Sequence, residues 1–161
     1  MTARTSDTKI VSVPWDDVPS IVGNDFLGSW FSASTERNTA FDEVTYVLDN
    51  AHELDGGNFP EGLMEGFYVL ALLDHLVNEV VHVDDPGWSG WNYGLDRVRF
   101  VSPLTVNDRF RVRGTVREVT PRNGGYLVFL ECDYEVEGRE RPAMVAEWRV
   151  LWTLETGGSE E

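Results

Sequence analysis

Apolar residues recur along the chain with two different periods, and the change between them falls near residue 90. From Gly66 to Val80 the repeat is helical. Phe67, Leu70, Leu73, Val77 and Val80 form one stripe, and Val69, Leu72 and Leu76 form a second. A helix that is apolar over most of its circumference is expected to be buried against something broad, most simply a sheet that wraps around it. After residue 90 the period drops to two. Asn92–Val101, Arg109–Val119, Tyr126–Val136 and Met144–Leu154 alternate or carry β-branched and aromatic runs, separated by Ser102-Pro103, Asn107-Asp108, Asn123-Gly124-Gly125 and Glu137-Gly138 turn signals. In Arg109-Phe110-Arg111-Val112-Arg113 the arginines share one strand face and the apolar residues the other. Upstream, Thr35–Val44 reads as a short helix with Ser34 or Thr35 as N-cap and Ala40, Phe41 and Val44 on one face. Asp49 to Gly62 has the Asp, Asn, Gly and Pro content of a loop. The pattern predicts one α+β domain over residues 9–155, a long buried helix followed by an antiparallel meander. Polar tails at 1–8 and 156–161 are expected to fray.

A chain of 161 residues suits one domain. Its one cysteine, Cys132, excludes an intramolecular disulfide and a four-cysteine zinc site. Flanked by Glu131 and Asp133, it is not expected to be a nucleophile. There is no apolar run of about 18 residues, and Met1 to Lys9 carries no signal-peptide core, so a soluble, cytoplasmic protein with no membrane partner is expected. The net charge of −15 argues against nucleic acid. That charge is uneven: residues 1–90 hold 3 basic and 16 acidic side chains, whereas residues 91–161 hold 10 and 12. Arg97, Arg99, Arg109, Arg111, Arg113, Arg117 and Arg122 fall within 26 residues. They read either as a solvated strand face or as an anion site for a phosphate-bearing ligand.

Four blocks, in order, resemble the MaoC-like hydratases and dehydratases of the hot-dog fold over roughly residues 15 to 154. Thr35-Glu36-Arg37…Phe41…Thr45 resembles the family's Q-E-R-I-x-x-F-A-x-x-T helix, and Met64-Glu65-Gly66 through Leu73 the A-H-G-x-L-T-L-S-L-L start of its central helix. Asn92-Tyr93-Gly94-Leu95-Asp96-Arg97-Val98-Arg99-Phe100 resembles N-Y-G-L-x-K-V-R-F, and Arg141 to Glu147 resembles K-P-A-x-V-A-E. The resemblance implies an antiparallel sheet around a long central helix, a homodimer, and an acyl thioester substrate carried on coenzyme A or an acyl carrier protein. The family's T-G-D-x-N-P-x-H-x-D motif supplies an Asp and a His that activate water for addition across an enoyl thioester. Matched from Thr45, it sets His52 at the His position and Val47 at the Asp position, with Asp49-Asn50 as an alternative source of the acid. Glu65 stands where the family usually has the His of A-H-G.

The candidate site follows. His52 would move a proton, with Glu65 or Asp49 as partner. Glu65 precedes a helix, where a carboxylate either caps or acts as a base beside the Gly66 and Phe67 N–H groups, the donors a thioester carbonyl needs. Trp88 and Trp91, read as a Gly-rich loop, and Asn92 are candidate walls of the acyl pocket. Arg97, Arg99 and Arg109 are candidates for the carrier's phosphates. His75 and His82 read as structural or surface residues, and the three histidines give no metal signal. No cofactor beyond the substrate's carrier is expected. Three readings remain open: a hydratase, dehydratase or related proton-transfer or cyclisation enzyme of a biosynthetic pathway; a thioesterase using Glu65; and a non-catalytic acyl-binding partner subunit.

Overall fold

The computed structural model describes residues 7–49 and 59–155. In chain order the elements are β1 (Val11–Val13), a 3-10 helix (Trp15–Ile21), β2 (Asp25–Leu27), α1 (Thr35–Val44), α2 (Gly66–Asn78), β3 (Val81–Val83), β4 (Trp88–Phe100), β5 (Phe110–Arg122), β6 (Gly125–Val136) and β7 (Met144–Leu154). Five strands form an antiparallel sheet in the order β2-β5-β6-β7-β4, and β1 and β3 pair in parallel beside it. This is the hot-dog arrangement, with α2 on one face of the sheet. No helix among the described residues is long and apolar enough to cross a membrane.

The period of two builds the core directly. Val128, Leu130, Cys132, Tyr134 and Val136 of β6 are buried, as are Met144, Ala146, Trp148, Val150 and Trp152 of β7, each set alternating with more accessible neighbours. Phe110, Val112 and Val116 of β5 meet them, and α2 lays Tyr68, Val69, Leu73, Leu76 and Val77 on this surface. The Tyr134 hydroxyl donates to the Val69 carbonyl at 3.1 Å, joining sheet to helix, and burial pushes this phenol well above its usual range. Gly114 has a packing reason: a Cβ there would collide with the Glu131 carbonyl and the Phe26 ring. Between β5 and β6, Asn123 (φ 49°) and Gly124 (φ 78°) make the two-residue turn, both in the left-handed region that the right-handed twist of a hairpin demands.

The opposite sheet face is a ladder of ion pairs. Arg109 meets Glu137 at 2.9 Å, Arg111 meets Glu135 at 2.7 Å, Arg113 meets Asp133 at 2.7 Å and Arg117 meets Glu131 at 2.8 Å. Arg111↔Glu135 and Arg113↔Asp133 are directly opposed across the β5–β6 register. Hydrogen bonding from Arg117 lowers the Glu131 carboxyl, whereas burial raises that of Asp133 despite its bond to Arg113.

Several local expectations are corrected. Trp88–Trp91 is not a loop but the first part of β4, paired with Leu154–Leu151 of β7. The backbone follows the ladder because β7 offers a partner there, and Gly90 fits close to the Trp88 and Trp152 rings. The long helix ends at Asn78, and His82 lies in β3. Strands β1, β2 and β3 have three residues each, too short for a period to show. The inward face of α1 carries Phe41, as expected, together with the buried Asn38, while Ala40 is exposed and Val44 is 72% exposed. Finally, α2 is buried on one side only, with Phe67 70% exposed.

Candidate active site at the start of the central helix

Glu65 is the N-cap of α2, in an extended conformation (φ −61°, ψ 139°), and its Oε2 accepts from the Phe67 N–H at 2.8 Å. The side chain thus satisfies one of the free donors of the first turn, while the Gly66 N–H, at N1, has no acceptor within the helix. The strand-like lead-in is pinned by Met64 N–H to the Leu104 carbonyl (2.8 Å) and by a bridge between Leu63 and Thr105. Gly66 sits close to Phe100: a Cβ there would make a tight contact, 3.3 Å from Cε2 and Cζ of the ring. Phe100, 51% exposed, and Phe67 give the helix entrance an open aromatic rim.

The second wall is α1. Ser34 caps it by accepting from Arg37 N–H at 3.2 Å. Asn38 Nδ2 donates to the Leu63 carbonyl at 3.2 Å, and the Phe41 ring stacks on Tyr68 with centroids 4.9 Å apart and planes at 23°. Asn38 is 8% exposed, and its Oδ1 has no hydrogen-bond partner among the described residues. An acceptor left so costs about 1–3 kcal/mol, an expense proteins retain most often at functional sites. Next to Phe41, the half-buried Asp42 carboxyl is raised by burial and by the charge of Glu65. After α1 the chain turns through Tyr46, whose φ of 61° is left-handed in a residue with a Cβ. Its position is that of the Gly in the family motif matched from Thr45, and its conformation is the one a helix C-terminus most often gives to Gly.

Of the residues singled out from the sequence, Glu65, Gly66 and Phe67 are brought together. Asp49 is exposed in the turn after α1, its N–H bonded to the Tyr46 carbonyl at 3.1 Å. His52 lies outside the described residues. Trp88 and Trp91 sit at the other end of β4 from Phe100, a strand of 13 residues, roughly 40 Å long, so within one protomer they do not line the same space as Gly66. Trp91 Nε1 donates to Thr153 Oγ1 at 3.2 Å, and the buried Trp88 Nε1 has no acceptor among the described residues. Asn92 accepts from Trp148 Nε1 at 2.9 Å and lines a cavity of about 190 Å³ with Leu70, Ala71, Asp74 and Leu95, against the uncovered side of α2. Because Phe100 faces α2, Arg99 and its neighbour Arg97 face away, and Arg109 is committed to Glu137 through two hydrogen bonds of 2.9 and 3.1 Å. The seven arginines are divided: four are paired along the ladder, and Arg97, Arg111 and Arg113 line one open groove that Glu131, Asp133, Glu135 and Glu147 share. The Cys132 thiol is pushed far up by burial and by Asp133 and Glu131. No group of three metal-ligating side chains is found among the described residues.

Asn38, Asp42 and Phe100, which stand beside the start of α2, were not singled out from the sequence. The available signal was polar spacing: Asn38 and Asp42 are four apart on one helix and share a face, where an apolar stripe had been expected from Ala40 and Val44.

The comparisons with known proteins decide the family. No family model matches the chain. It is 32% identical over 139 residues to nodulation protein N of Rhizobium leguminosarum bv. viciae, covering 82% of this chain and 86% of that one. It is 30% identical over 123 residues to 3-hydroxyacyl-thioester dehydratase Z of Mycobacterium tuberculosis, covering 73% and 81%. The chain belongs to the MaoC-like hydratase and dehydratase family. Among solved structures, the MaoC-like dehydratase from Rhodospirillum rubrum superposes with a TM-score of 0.65 at 16% identity, covering 83% of this chain and 93% of that one, a likeness of fold. In this MaoC-like chain Glu65, and across the α1 contact Asn38 and Asp42, are polar side chains near the start of α2.

Proposed function

We propose that this MaoC-like protein is a lyase that adds water to, or removes it from, an acyl thioester held on coenzyme A or an acyl carrier protein. The observation that carries the reading is the Glu65 carboxylate 2.8 Å from the Phe67 N–H at the first turn of α2. It sets a proton-accepting group beside the N–H of Gly66, where the negative charge that builds on a thioester oxygen during proton removal at C2 is stabilised by backbone donors and by the helix dipole. With Val47 at the position of the family Asp, Glu65 takes over proton transfer, and Asp49 and His52 are its candidate partners. The acyl chain would run along α2 toward the cavity lined by Leu70, Leu95 and Asn92. The test follows enoyl-thioester hydration by the purified protein. Glu65→Gln is expected to lower turnover on the order of 10²-fold with little change in KM, and His52→Ala tests the partner. Release of free thiol that depends on Glu65 would replace the reading by a thioesterase, and full activity of both variants would remove it.

The working form is a homodimer. Strand β4 is a sheet edge, and it exposes Trp91 (62%), Tyr93 (46%), Leu95 (42%) and Phe100 beside Phe67. A second copy related by a two-fold axis, with β4 antiparallel to β4, would pair this edge and cover the open side of α2. The same axis would carry the Trp88 end of one protomer toward the Phe100 end of the other. Sedimentation equilibrium at micromolar concentration is expected to give twice the chain mass; a single-chain mass throughout would reject the dimer.

A further inference from the structure

The face that α1 turns toward α2 is polar in a way that packing does not require. Its two anchors, Asn38 to the Leu63 carbonyl and Phe41 on Tyr68, fix the turn of α1 that also carries Asp42, whose carboxyl feels the Glu65 charge. Asn38 and Asp42 are one helical turn apart on this face. The amide orientation of Asn38 is dictated by chemistry, because a flip would set its carbonyl against that of Leu63. Its Oδ1 is therefore a buried acceptor waiting for a donor. Glu65 holds the Phe67 N–H and is the charged neighbour that acts on Asp42. Burial first, and the Glu65 charge second, favour the protonated form of Asp42.

We infer that Asp42 is the acid of this site, delivering its proton to the oxygen that leaves C3 of a 3-hydroxyacyl thioester, with Asn38 as the positioning residue whose Oδ1 holds the protonated carboxyl. The inference rests on the hydratase–dehydratase reading and gives it a residue in place of the missing family Asp. In the dehydration direction Glu65 takes the proton from C2, the C2–H electron pair forms the C2–C3 double bond, the C3–O bond breaks, and the departing oxygen takes the Asp42 proton to leave as water. Glu65 is then protonated and Asp42 ionised, and one proton passed from the first to the second restores the start. No co-reactant is needed. Hydration is the same path reversed.

Two measurements on the intact protein test this. The first needs no substrate: a carboxyl-carbon NMR titration should find Asp42 above its ordinary value of 3.8 and returning toward it in Glu65→Gln. The second is the pH profile of dehydration. The wild type should lose rate as Asp42 ionises on the alkaline side, whereas Asp42→Asn should show kcat lower on the order of 10²-fold with KM changed little, and that limb absent. Asp42→Glu, which keeps the carboxyl, should recover part of the rate, and Asn38→Ala should move the limb to lower pH. An Asp42 that titrates at its ordinary value in both proteins overturns the inference, as does an Asp42→Asn enzyme with the wild-type rate and profile. A wild type inactive on hydroxyacyl and enoyl thioesters would overturn the reading of function and the delivery step with it, while the titration would still decide whether Asp42 keeps its proton above the ordinary value.

Discussion

The β5–β6–β7 meander and the α1–α2 junction follow opposite rules. In the meander every strand alternates, the inward side chains are almost wholly buried, and the outward arginines have carboxylates across the register. At the junction a buried amide oxygen has no donor, two carboxyls stand close enough to interact, a tyrosine sits at positive φ and two phenylalanines are open to solvent. Local propensity, packing and polar satisfaction agree in the first region and conflict in the second, and such conflicts collect where a protein does chemistry. Stability thus resides in the sheet, and the helix entrance is where we propose the chemistry.

Substitutions can break or sharpen this contrast. The largest effect is expected at Phe110, fully buried between Phe31 and Tyr134. Phe110→Ala should cost about 3–5 kcal/mol in urea unfolding, and a loss below about 1 kcal/mol would deny the meander its role. Next is Tyr46→Gly, which relieves the left-handed backbone. It should stabilise by roughly 0.5–1 kcal/mol, and destabilisation would show that the Tyr46 side chain does more than the backbone loses. Arg109→Ala, at a half-exposed ion pair, should cost roughly 0.2–1 kcal/mol and less in high salt.

The smallest effect reverses the usual sign. Asp42 has a raised carboxyl pKa in the folded protein, from burial first and Glu65 second. Its folded form holds the proton more tightly than the unfolded chain does, so the stability it contributes is present below the unfolded value of 3.8 and lost as pH rises through the folded value. Asp42→Asn should therefore raise Tm at pH 7, with the gain shrinking as pH falls toward 3.8. A gain independent of pH would mean that charge is not its cause.

How much was legible beforehand differs between the regions for a physical reason. Periodicity reports which side of an element meets the core, and β5, β6, β7 and α2 obey it, so their places could be read within a few residues, whereas β4 is exposed along most of its length. The Ser34 cap and the Asn123-Gly124 turn were legible because their geometry depends on neighbours in sequence. Glu65, Gly66 and Phe67 were found through a local rule too, the needs of a helix N-terminus. Asp42 and Asn38 were not, since their chemistry exists only where α1 meets the lead-in to α2, 25 residues on from Asn38 to Leu63.

The sequence by itself determined the α+β plan, the apolar face of β5, β6 and β7, the caps and the tight turn, all of which are properties of one segment and its solvent. Tertiary structure decided what required two distant segments. It continued β4 back to Trp88 because β7 was there to pair with it, and it set Arg111, Arg113 and Arg117 against facing carboxylates. It also set Asp42 within reach of the Glu65 charge. A pairwise interaction across space leaves no period in either partner's segment, so these features appear only when the chain has folded.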